Sequence, residues 1–415
     1  MDQNRNDIKP FAIGQLTNRA QGDKVIWAIV AVLTMMSLLA VYSSTGTLAY
    51  KLSKSTESYL LKQILFIAFG AGIIYGLHLV NYRFYSRIAQ ILYIASIPLL
   101  IYTLFFGTSL NDANRWIKLP IINLTVQTSD LAKLALFMYI SRQLSKRQDD
   151  IKDFKKGFLP LIIPVAIICV LIAPANLSTA LLTGATSLIL MFIGRISLKH
   201  IGLVVLVAAI PIAMLIMLAK IYYDPVERKK EPLPAALQVA RLVTWVSRTQ
   251  DFMYADKKDV AYQVQQAKIA IAKGSWVGLG PGNSQARNFL PHPYSDFIYA
   301  IIIEEYGLLG GAVIMMVYLL FLYRCIRIMK KCPYAFGAFL SLGLSFTLVI
   351  QAMANMAVNV NLFPVTGVTL PLVSMGGSSF LFTCIAIGII LSVAKHVEKE
   401  ESTAIVEPQK QEVVA

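Results

Sequence analysis

Long apolar runs, each about as long as a helix that crosses a membrane, follow one another through most of the chain. The clearest are residues 25–44, 59–80, 88–106 and 201–219. At about 1.5 Å per residue, a run of roughly 20 residues crosses a hydrocarbon core of about 30 Å. The pattern predicts ten spans, at 25–44, 59–80, 87–106, 129–145, 158–173, 177–194, 199–221, 297–323, 335–360 and 370–394.

Composition favours the same fold class. Hydrophobic residues make up 56% of the chain and charged residues only 15%, whereas a soluble domain carries about 25% charged residues. Buried helices of a large soluble protein are the alternative, but too little polar surface is available to cover so many apolar runs. We therefore expect an all-α polytopic integral membrane protein with about ten transmembrane helices and one large extracytoplasmic loop.

Basic residues predict the orientation of the spans. An even number of spans places both termini on one side, and the loops of that side are rich in Lys and Arg, which favours the cytoplasm. These residues are Arg5, Lys9, Arg19, Lys24, Arg142, Lys146, Arg147, Lys152, Lys155, Lys156, Arg324, Arg327, Lys330 and Lys331. We expect a multi-pass protein of the cytoplasmic membrane with both termini inside. This distribution also explains the net charge of +15 without a nucleic-acid partner.

The spans divide the chain into segments. The prediction is a cytoplasmic N-terminal segment (1–24), seven helices (25–221), a large extracytoplasmic loop (222–296), three helices (297–395) and a cytoplasmic tail (396–415). Apolar residues from Leu237 to Val246 recur at helical spacing. They predict a helix that lies either at the membrane interface or against the rest of the loop.

A second helix is predicted around residues 261–270, before a group of glycines at positions 274, 278, 280 and 282. No strand precedes these glycines and Pro281 interrupts them, so a nucleotide-binding loop is disfavoured. They predict a turn in which the backbone approaches a ligand or a neighbouring helix closely.

A few charged residues interrupt the apolar pattern. Asp296 stands where the large loop meets a helix that contains Glu304 and Glu305, and Asp130 and Lys133 share one face of the fourth span. A charge at membrane depth costs about 2.5–3.5 kcal/mol on insertion scales, so it usually marks function. The structural alternatives are a helix N-cap for Asp296 and a neutralising ion pair for Asp130 and Lys133.

Other polar residues favour structural roles. Gln351, Asn355 and Asn359 repeat every four residues on the ninth span, a pattern that more often joins helices than binds a ligand. The cysteines do not form a C-x-x-C pair and the histidines are scattered, so we expect neither a disulfide nor a metal site made by these residues.

Five motifs occur in order along the chain and resemble those of the SEDS family, the membrane-embedded peptidoglycan glycosyltransferases that include FtsW, RodA and SpoVE. The motif regions are Asn111–Trp116, Gln127–Lys133, Leu290–Phe297, Glu304–Gly307 and Pro364–Ser379. The chain departs from the family pattern at Asp112, where Gly is usual, and at Asp130 and His292, where Glu is usual. The resemblance covers about 42–379, and its first span is most similar to that of FtsW.

The resemblance implies an enzyme that polymerises lipid II into β-1,4 glycan strands outside the membrane, at the division septum. It implies that Asp296 is the catalytic residue. The residues expected to bind substrate are Arg115, Ser129, Asp130, Lys133, Glu305, Ser378 and Ser379. Glu304 and Glu305 differ by about 100° around a helix, so only one of them can face the substrate squarely, and we choose Glu305.

The resemblance also implies partners: a class B penicillin-binding transpeptidase, other divisome proteins and membrane lipids. The resemblance establishes no cofactor and leaves a metal requirement open; a divalent cation, Mg²⁺ or Mn²⁺, would suit the leaving diphosphate. The alternative function is a lipid II flippase or transporter, which would need a polar route from the inner leaflet.

Overall fold

The chain folds into a bundle of long helices, seen here in a computed structural model. The structure describes residues 22–46, 56–110, 113–118, 125–224, 229–230, 234, 240–254, 262–290 and 293–412. Asp112 and His292 lie outside the described residues. In chain order the long helices are α1 (Lys24–Ser44), α2 (Thr56–Leu79), α3 (Tyr82–Phe106), α4 (Thr128–Lys146), α5 (Leu159–Ile172), α6 (Leu177–Ile193), α7 (Leu198–Ile221), α8 (Ala240–Tyr254), α9 (Tyr262–Gly274), α10 (Ile298–Lys331), α11 (Ala335–Asn359) and α12 (Ser378–Glu412).

Ten of these helices correspond to the predicted spans. Among the described residues, eight segments are long and apolar enough to cross a membrane, and α6 is a shorter apolar helix. The remaining helix, α4, carries a charged pair, but side chains such as Ala132, Phe137 and Leu144 are fully buried between other helices. A helix that contacts protein on most sides tolerates polar residues that lipid would not. The prediction of an all-α polytopic membrane protein is confirmed.

Helix α7 is the opposite case. None of its most apolar 18-residue window is buried, and large side chains such as Leu206, Ile210 and Met217 are exposed. Because lipid tails are as apolar as these side chains, the exposed surface is one that a bilayer covers.

The last predicted span is partly wrong. It was expected to begin at residue 370, but α12 begins at Ser378, and residues 370–377 form no helix. Pro371, Gly376 and Gly377 explain the failure, since proline and glycine disfavour a helix interior. Side chains satisfy the irregular backbone: Ser37 donates to the carbonyl of Val373 over 2.8 Å, as non-helical backbone within a membrane protein requires.

Between α3 and α4 the chain forms a small antiparallel sheet that the sequence did not indicate. Its strands are β1 (Thr108–Leu110), β2 (Ala113–Lys118) and β3 (Thr125–Gln127), with β2 in the centre. Trp116 lies opposite Thr108 on one side and Gln127 on the other. Arg115 also lies in β2, at a shift in register between the residues paired with Thr108 and Ser109.

The large loop contains both helices that were predicted there, α8 and α9, together with a two-stranded hairpin of β4 (Tyr223–Asp224) and β5 (Lys229–Lys230). Val246 of α8 is buried against Ala219 near the end of α7. The side-chain amide of Gln250 donates to the carbonyls of Ala219, over 3.2 Å, and Tyr222, over 2.8 Å. Helix α8 therefore packs on the end of α7, a contact that neither of its two predicted placements named.

Candidate functional site

Asp296 lies in a turn, residues 293–297, immediately before α10. The side-chain amides of Asn355 and Asn359 donate hydrogen bonds to its backbone carbonyl over 2.9 and 3.0 Å. The position before the first helical residue is occupied by Phe297, whose side chain makes no cap, and the first-turn amide of Ala300 donates to Oδ1 of Asn359 over 3.1 Å. The N-cap hypothesis for Asp296 is therefore wrong, while Asn355 and Asn359 have the joining role that their spacing predicted.

The irregular segment 370–377 holds the same turn from another side. The hydroxyl of Ser374 donates to the carbonyl of Ser295 over 2.6 Å, and the amide of Met375 donates to the carbonyl of Tyr294 over 2.9 Å. Two separate parts of the chain thus fix the backbone on which the Asp296 side chain stands.

Arg115 and Asp296 converge on Gly367. A Cβ atom added to this glycine would lie 3.6 Å from Oδ2 of Asp296 and 3.8 Å from Nη1 of Arg115. The Nε of Arg115 also donates to the carbonyl of Ala175 over 2.7 Å, which fixes the direction of the guanidinium. The structure therefore brings together a carboxylate and a cation that are far apart in sequence, beside a position that has no side chain.

The local charge is positive overall. Burial, and then repulsion from Arg248 and Arg241, lowers the pKa of Arg115 to about 10, while the carboxylate of Asp296 acts in the opposite direction. Arg115 stays protonated at neutral pH. The pKa of Tyr294 is raised, chiefly by burial and also by its neighbours Tyr59 and Asp296.

Asp130 and Lys133 form the ion pair that their spacing predicted, with Nζ 2.8 Å from Oδ1. The same Nζ donates to Oε1 of Gln351 over 3.2 Å, and the amide of Gln351 donates to the carbonyl of Thr369 over 3.0 Å. Asp130 is only 6% exposed, and its Oδ2 is buried without a hydrogen-bond partner among the described residues. Gln351 thus links the Asp130–Lys133 pair by hydrogen bonds to Thr369, in the segment that follows Gly367.

Three small cavities surround these residues. Their volumes are about 20, 30 and 10 Å³, and a single water molecule needs about 10–15 Å³ of such space. Lys133 lines the first two, and Ser379 lines the second together with Asp130. The third is lined by Arg115 and Ser129. These cavities are water-sized, and none of the three could enclose a saccharide.

Ser378 and Glu305, which were expected to bind substrate, make hydrogen bonds within the protein. The hydroxyl of Ser378 accepts a hydrogen bond from the amide of Gln127 over 3.0 Å, which joins β3 to the start of α12. Glu305 is 1% exposed, accepts a hydrogen bond from the hydroxyl of Ser43 and accepts another from the amide of Ser284 over 3.3 Å. The choice of Glu305 as the cavity-facing glutamate needs correction, because its carboxylate is buried against α1 and the loop before Asp296.

Glu304 has a similar role. Its carboxylate accepts hydrogen bonds from the hydroxyl of Ser284 and from the amides of Gln285, over 3.1 Å, and Ala286. The short 3₁₀ helix Ala286–Asn288 begins at this point. Both glutamates therefore fasten the loop that leads to Asp296.

A kink in α10 explains the glycine cluster. Gly307 has φ 71° and ψ −179°, a conformation essentially limited to glycine. A Cβ there would lie 2.1 Å from the carbonyl oxygen of Trp276. The amides of Leu279 and Gly280 donate to the carbonyls of Glu304 and Glu305 over 2.9 and 3.0 Å. The predicted close approach of a glycine-rich turn to a neighbouring helix is confirmed.

Arg115 and Arg248 are charged neighbours of Asp296. Within the described ranges, no three His, Cys, Asp or Glu side chains gather as metal ligands would. All four cysteines are free thiols.

A family model described as "Cell cycle protein", that of FtsW, RodA and SpoVE, matches residues 23–399. The chain belongs to this family. The resemblance to SEDS proteins is therefore confirmed.

Curated relatives agree over nearly the whole length. A probable peptidoglycan glycosyltransferase FtsW of Geobacter sp. (strain M18) is 30% identical over 385 residues, covering 91% of this chain and 98% of that protein. A protein of the same name from Nitrosococcus halophilus (strain Nc4) is 32% identical over 342 residues, covering 81% of this chain and 82% of that protein. Stage V sporulation protein E of Bacillus subtilis (strain 168) is 27% identical, covering 92% and 99%.

Solved structures share the fold. A chain from work on the structural coordination of polymerization and crosslinking by a peptidoglycan synthase complex has a TM-score of 0.68 and 22% identity, covering 91% of this chain and 98% of that one. The rod shape determining protein RodA of Thermus thermophilus has a TM-score of 0.63 and 20% identity, covering 90% and 97%.

Proposed function

We propose that this chain is a peptidoglycan glycosyltransferase that polymerises lipid II into β-1,4 glycan strands at the outer face of the cytoplasmic membrane. The observation that carries the proposal is the meeting of the Asp296 carboxylate and the Arg115 guanidinium at Gly367. The names of the curated relatives support the same activity.

Asp296 acts as the general base. Its carboxylate takes the proton of the 4-hydroxyl of one GlcNAc while that oxygen forms a bond to C1 of the MurNAc of a second lipid-linked substrate. The bond between C1 and the diphosphate oxygen breaks, and the lipid diphosphate leaves with the electron pair. Attack from the opposite face inverts the α-linked donor to a β-1,4 product. General base catalysis of this kind contributes about 10²- to 10⁴-fold.

The amides of Asn355 and Asn359 support this role by holding the backbone carbonyl of Asp296. Because they bind the backbone, they aim the side chain without competing for the oxygen that must take the proton. A base that stays in place costs no reorganisation during the reaction.

Arg115 supplies positive charge for the leaving diphosphate, since guanidinium groups match phosphate oxygens in geometry and charge. The described residues fit a divalent cation poorly, because arginines rather than further carboxylates or histidines surround Asp296. We assign neutralisation of the diphosphate to arginine and derive no step through a metal.

Lys133 does not neutralise the diphosphate, since Asp130 already neutralises Lys133. Ser129 and Ser379 keep the walls of the water-sized cavities polar.

The cellular setting follows from similarity. One structural neighbour comes from a peptidoglycan synthase complex that couples polymerization and crosslinking. It supports a class B penicillin-binding transpeptidase as the partner of this chain. Relatives named FtsW support a role in septal synthesis with other divisome proteins. The basic loops support an orientation with both termini in the cytoplasm, which places Asp296 outside.

The test uses the full chain purified with its transpeptidase and supplied with labelled lipid II. Wild type makes glycan ladders, while Asp296→Asn makes none and still binds lipid II. Asp149→Asn, which removes an exposed carboxylate from another loop, is the control and keeps the ladders. Ladders of undiminished yield from Asp296→Asn would overturn the proposal. Transport of intact lipid II without polymerisation by the wild type would favour the flippase.

A further inference from the structure

The loop helix α8 presents two arginines, Arg241 and Arg248, toward the Asp296 site. They are seven residues apart, close to two turns of a helix with about 3.6 residues per turn, so they share one face. Val246 and Gln250 fasten the helix to the end of α7. Arg248 is exposed, and its Nη1 donates to the carbonyl of Val365 over 3.4 Å, two residues from Gly367.

The charges of Arg115, Arg241 and Arg248 interact with one another, and Arg115 and Arg248 are both charged neighbours of Asp296. Arg241 and Arg248 both repel the charge of Arg115, and Arg241 and Asp296 are charged neighbours of Arg248. Asp251 is the other charged residue of α8, three positions after Arg248. Gathering like charges on a partly desolvated surface is unfavourable unless an anion binds there. Arg115, Arg241 and Arg248 form a group that suits an anion with several oxygens, because guanidinium groups match phosphate oxygens in geometry and charge.

We propose that Arg248 and Arg241, carried by α8, complete with Arg115 a binding site for the diphosphate of the lipid-linked donor. This inference rests on the proposed function and assigns residues to its leaving group. A lipid diphosphate bears one negative charge on each phosphate, and the planar fork of arginine can donate two hydrogen bonds to one phosphate.

The arrangement separates the two halves of the reaction. Asp296 accepts the proton of the attacking hydroxyl, while the arginines of β2 and α8 stabilise the negative charge of the departing diphosphate. That charge grows as the bond to C1 breaks, so the arginines stabilise the transition state more than the bound substrate. Lys133 is not suited to this role, because its Nζ is already held by Asp130 and Gln351.

Direct binding of the leaving group tests the site. The full chain is placed in nanodiscs of phosphatidylcholine, which carries no net charge to compete, and is titrated with undecaprenyl diphosphate and with undecaprenyl monophosphate. Wild type should prefer the diphosphate. Arg248→Gln and Arg241→Gln should each bind the diphosphate about 10- to 100-fold more weakly, as expected when a charged hydrogen bond is lost, with a smaller change for the monophosphate.

Matched variants separate the hydrogen-bonding geometry of the guanidinium group from its charge and from any effect on folding. Arg248→Lys keeps the positive charge but loses the planar guanidinium group. Its affinity for undecaprenyl diphosphate should lie between those of wild type and Arg248→Gln. Lys273→Gln removes a charge from α9, the next helix in sequence, where the Nζ of Lys273 donates to Oε1 of Gln285 over 2.6 Å, and should bind as wild type does. Thermal unfolding of each variant in the same nanodiscs shows whether the fold is kept.

The outcomes distinguish the two proposals. If Arg248→Gln and the double variant with Arg241→Gln bind undecaprenyl diphosphate as tightly as wild type, the anion site is wrong, even when Asp296→Asn is inactive. If Asp296→Asn still polymerises lipid II, the proposed function fails whatever the arginine variants bind.

Discussion

The side chain of Asn355 joins the backbone of Asp296 to that of Val368. Its amide donates to the carbonyl of Asp296 over 2.9 Å and to the carbonyl of Val368 over 2.7 Å. Val368 follows Gly367, the position at which Asp296 and Arg115 converge. One residue of α11 therefore sets the distance between the proposed base and the segment that faces it.

Asn355→Ala should reduce turnover more than substrate binding. Without the amide, the backbone carbonyl of Asp296 loses one of the two side-chain amides that hold it, and a displacement of about 1 Å in a catalytic group can cost about 100-fold in rate. We expect kcat for lipid II polymerisation to fall about 10- to 100-fold with little change in KM.

Ser341→Ala is the matched control for that prediction. Ser341 is also buried in α11, but its hydroxyl bonds within the helix, to the carbonyl of Ala338. It should retain wild-type kinetics. A larger rise in KM than fall in kcat for Asn355→Ala would show that Asn355 serves binding rather than positioning.

The Asp130–Lys133 pair should be more sensitive to loss of one partner than to loss of both. Lys133→Met leaves a carboxylate that is 6% exposed without its cation, and breaking a buried pair in this way costs about 3–5 kcal/mol. Asp130→Asn combined with Lys133→Met removes both charges and should unfold at a higher temperature than Lys133→Met alone. Thermal unfolding in detergent measures this, and an equal or greater loss in the double variant would contradict it.

Gly307→Ala should destabilise the chain strongly. The added Cβ would lie 2.1 Å from the carbonyl oxygen of Trp276, and the residue has φ 71°. Either the kink at Gly307 or the turn that contains Trp276 must therefore shift, and the loop that leads to Asp296 shifts as well. Gly72→Ala, on a helix with open space around the added Cβ, should unfold at the wild-type temperature or slightly above, since alanine favours a helix. Equal midpoints for the two variants would mean that the kink is not required.

Activity should fall as the pH rises past about 10. The pKa of Arg115 lies at about 10, below its ordinary value of 12.5, so the folded protein loses this cation in that range. Between these two pKa values the unfolded chain binds the proton more strongly, so deprotonation of Arg115 favours the folded state and cannot itself cause unfolding. The pH profile of kcat/KM checks this, with Arg115→Gln as the variant that should lack the alkaline decline caused by this group.

The spans could be predicted from sequence because each crossing has to be apolar over about 20 residues. That signal failed where irregular backbone is satisfied by side chains from distant helices. Residues 370–377 are apolar enough to suggest a helix, but they depend on contacts such as Ser37 to Val373. The sheet that carries Arg115 was also missed, since its three strands are short and lie in a polar loop.

The site could be predicted only in part, for a related reason. Asp130 and Lys133 are neighbours on one helix, so spacing alone indicated their contact. The meeting of Arg115 with Asp296, and the approach of Arg248, depend on tertiary structure that no local pattern contains. Glu305 shows that a local pattern can also mislead. Helical periodicity points Glu304 and Glu305 in different directions, but both carboxylates are buried because the loop before Asp296 folds over them.

The most direct test of the account is the single-turnover rate of lipid II polymerisation by Asp296→Asn, measured alongside its affinity for lipid II. If Asp296 is the base, the rate should fall at least about 100-fold, while the dissociation constant for lipid II stays close to that of wild type. A variant that bonds two lipid II disaccharides at the wild-type rate would contradict the central claim.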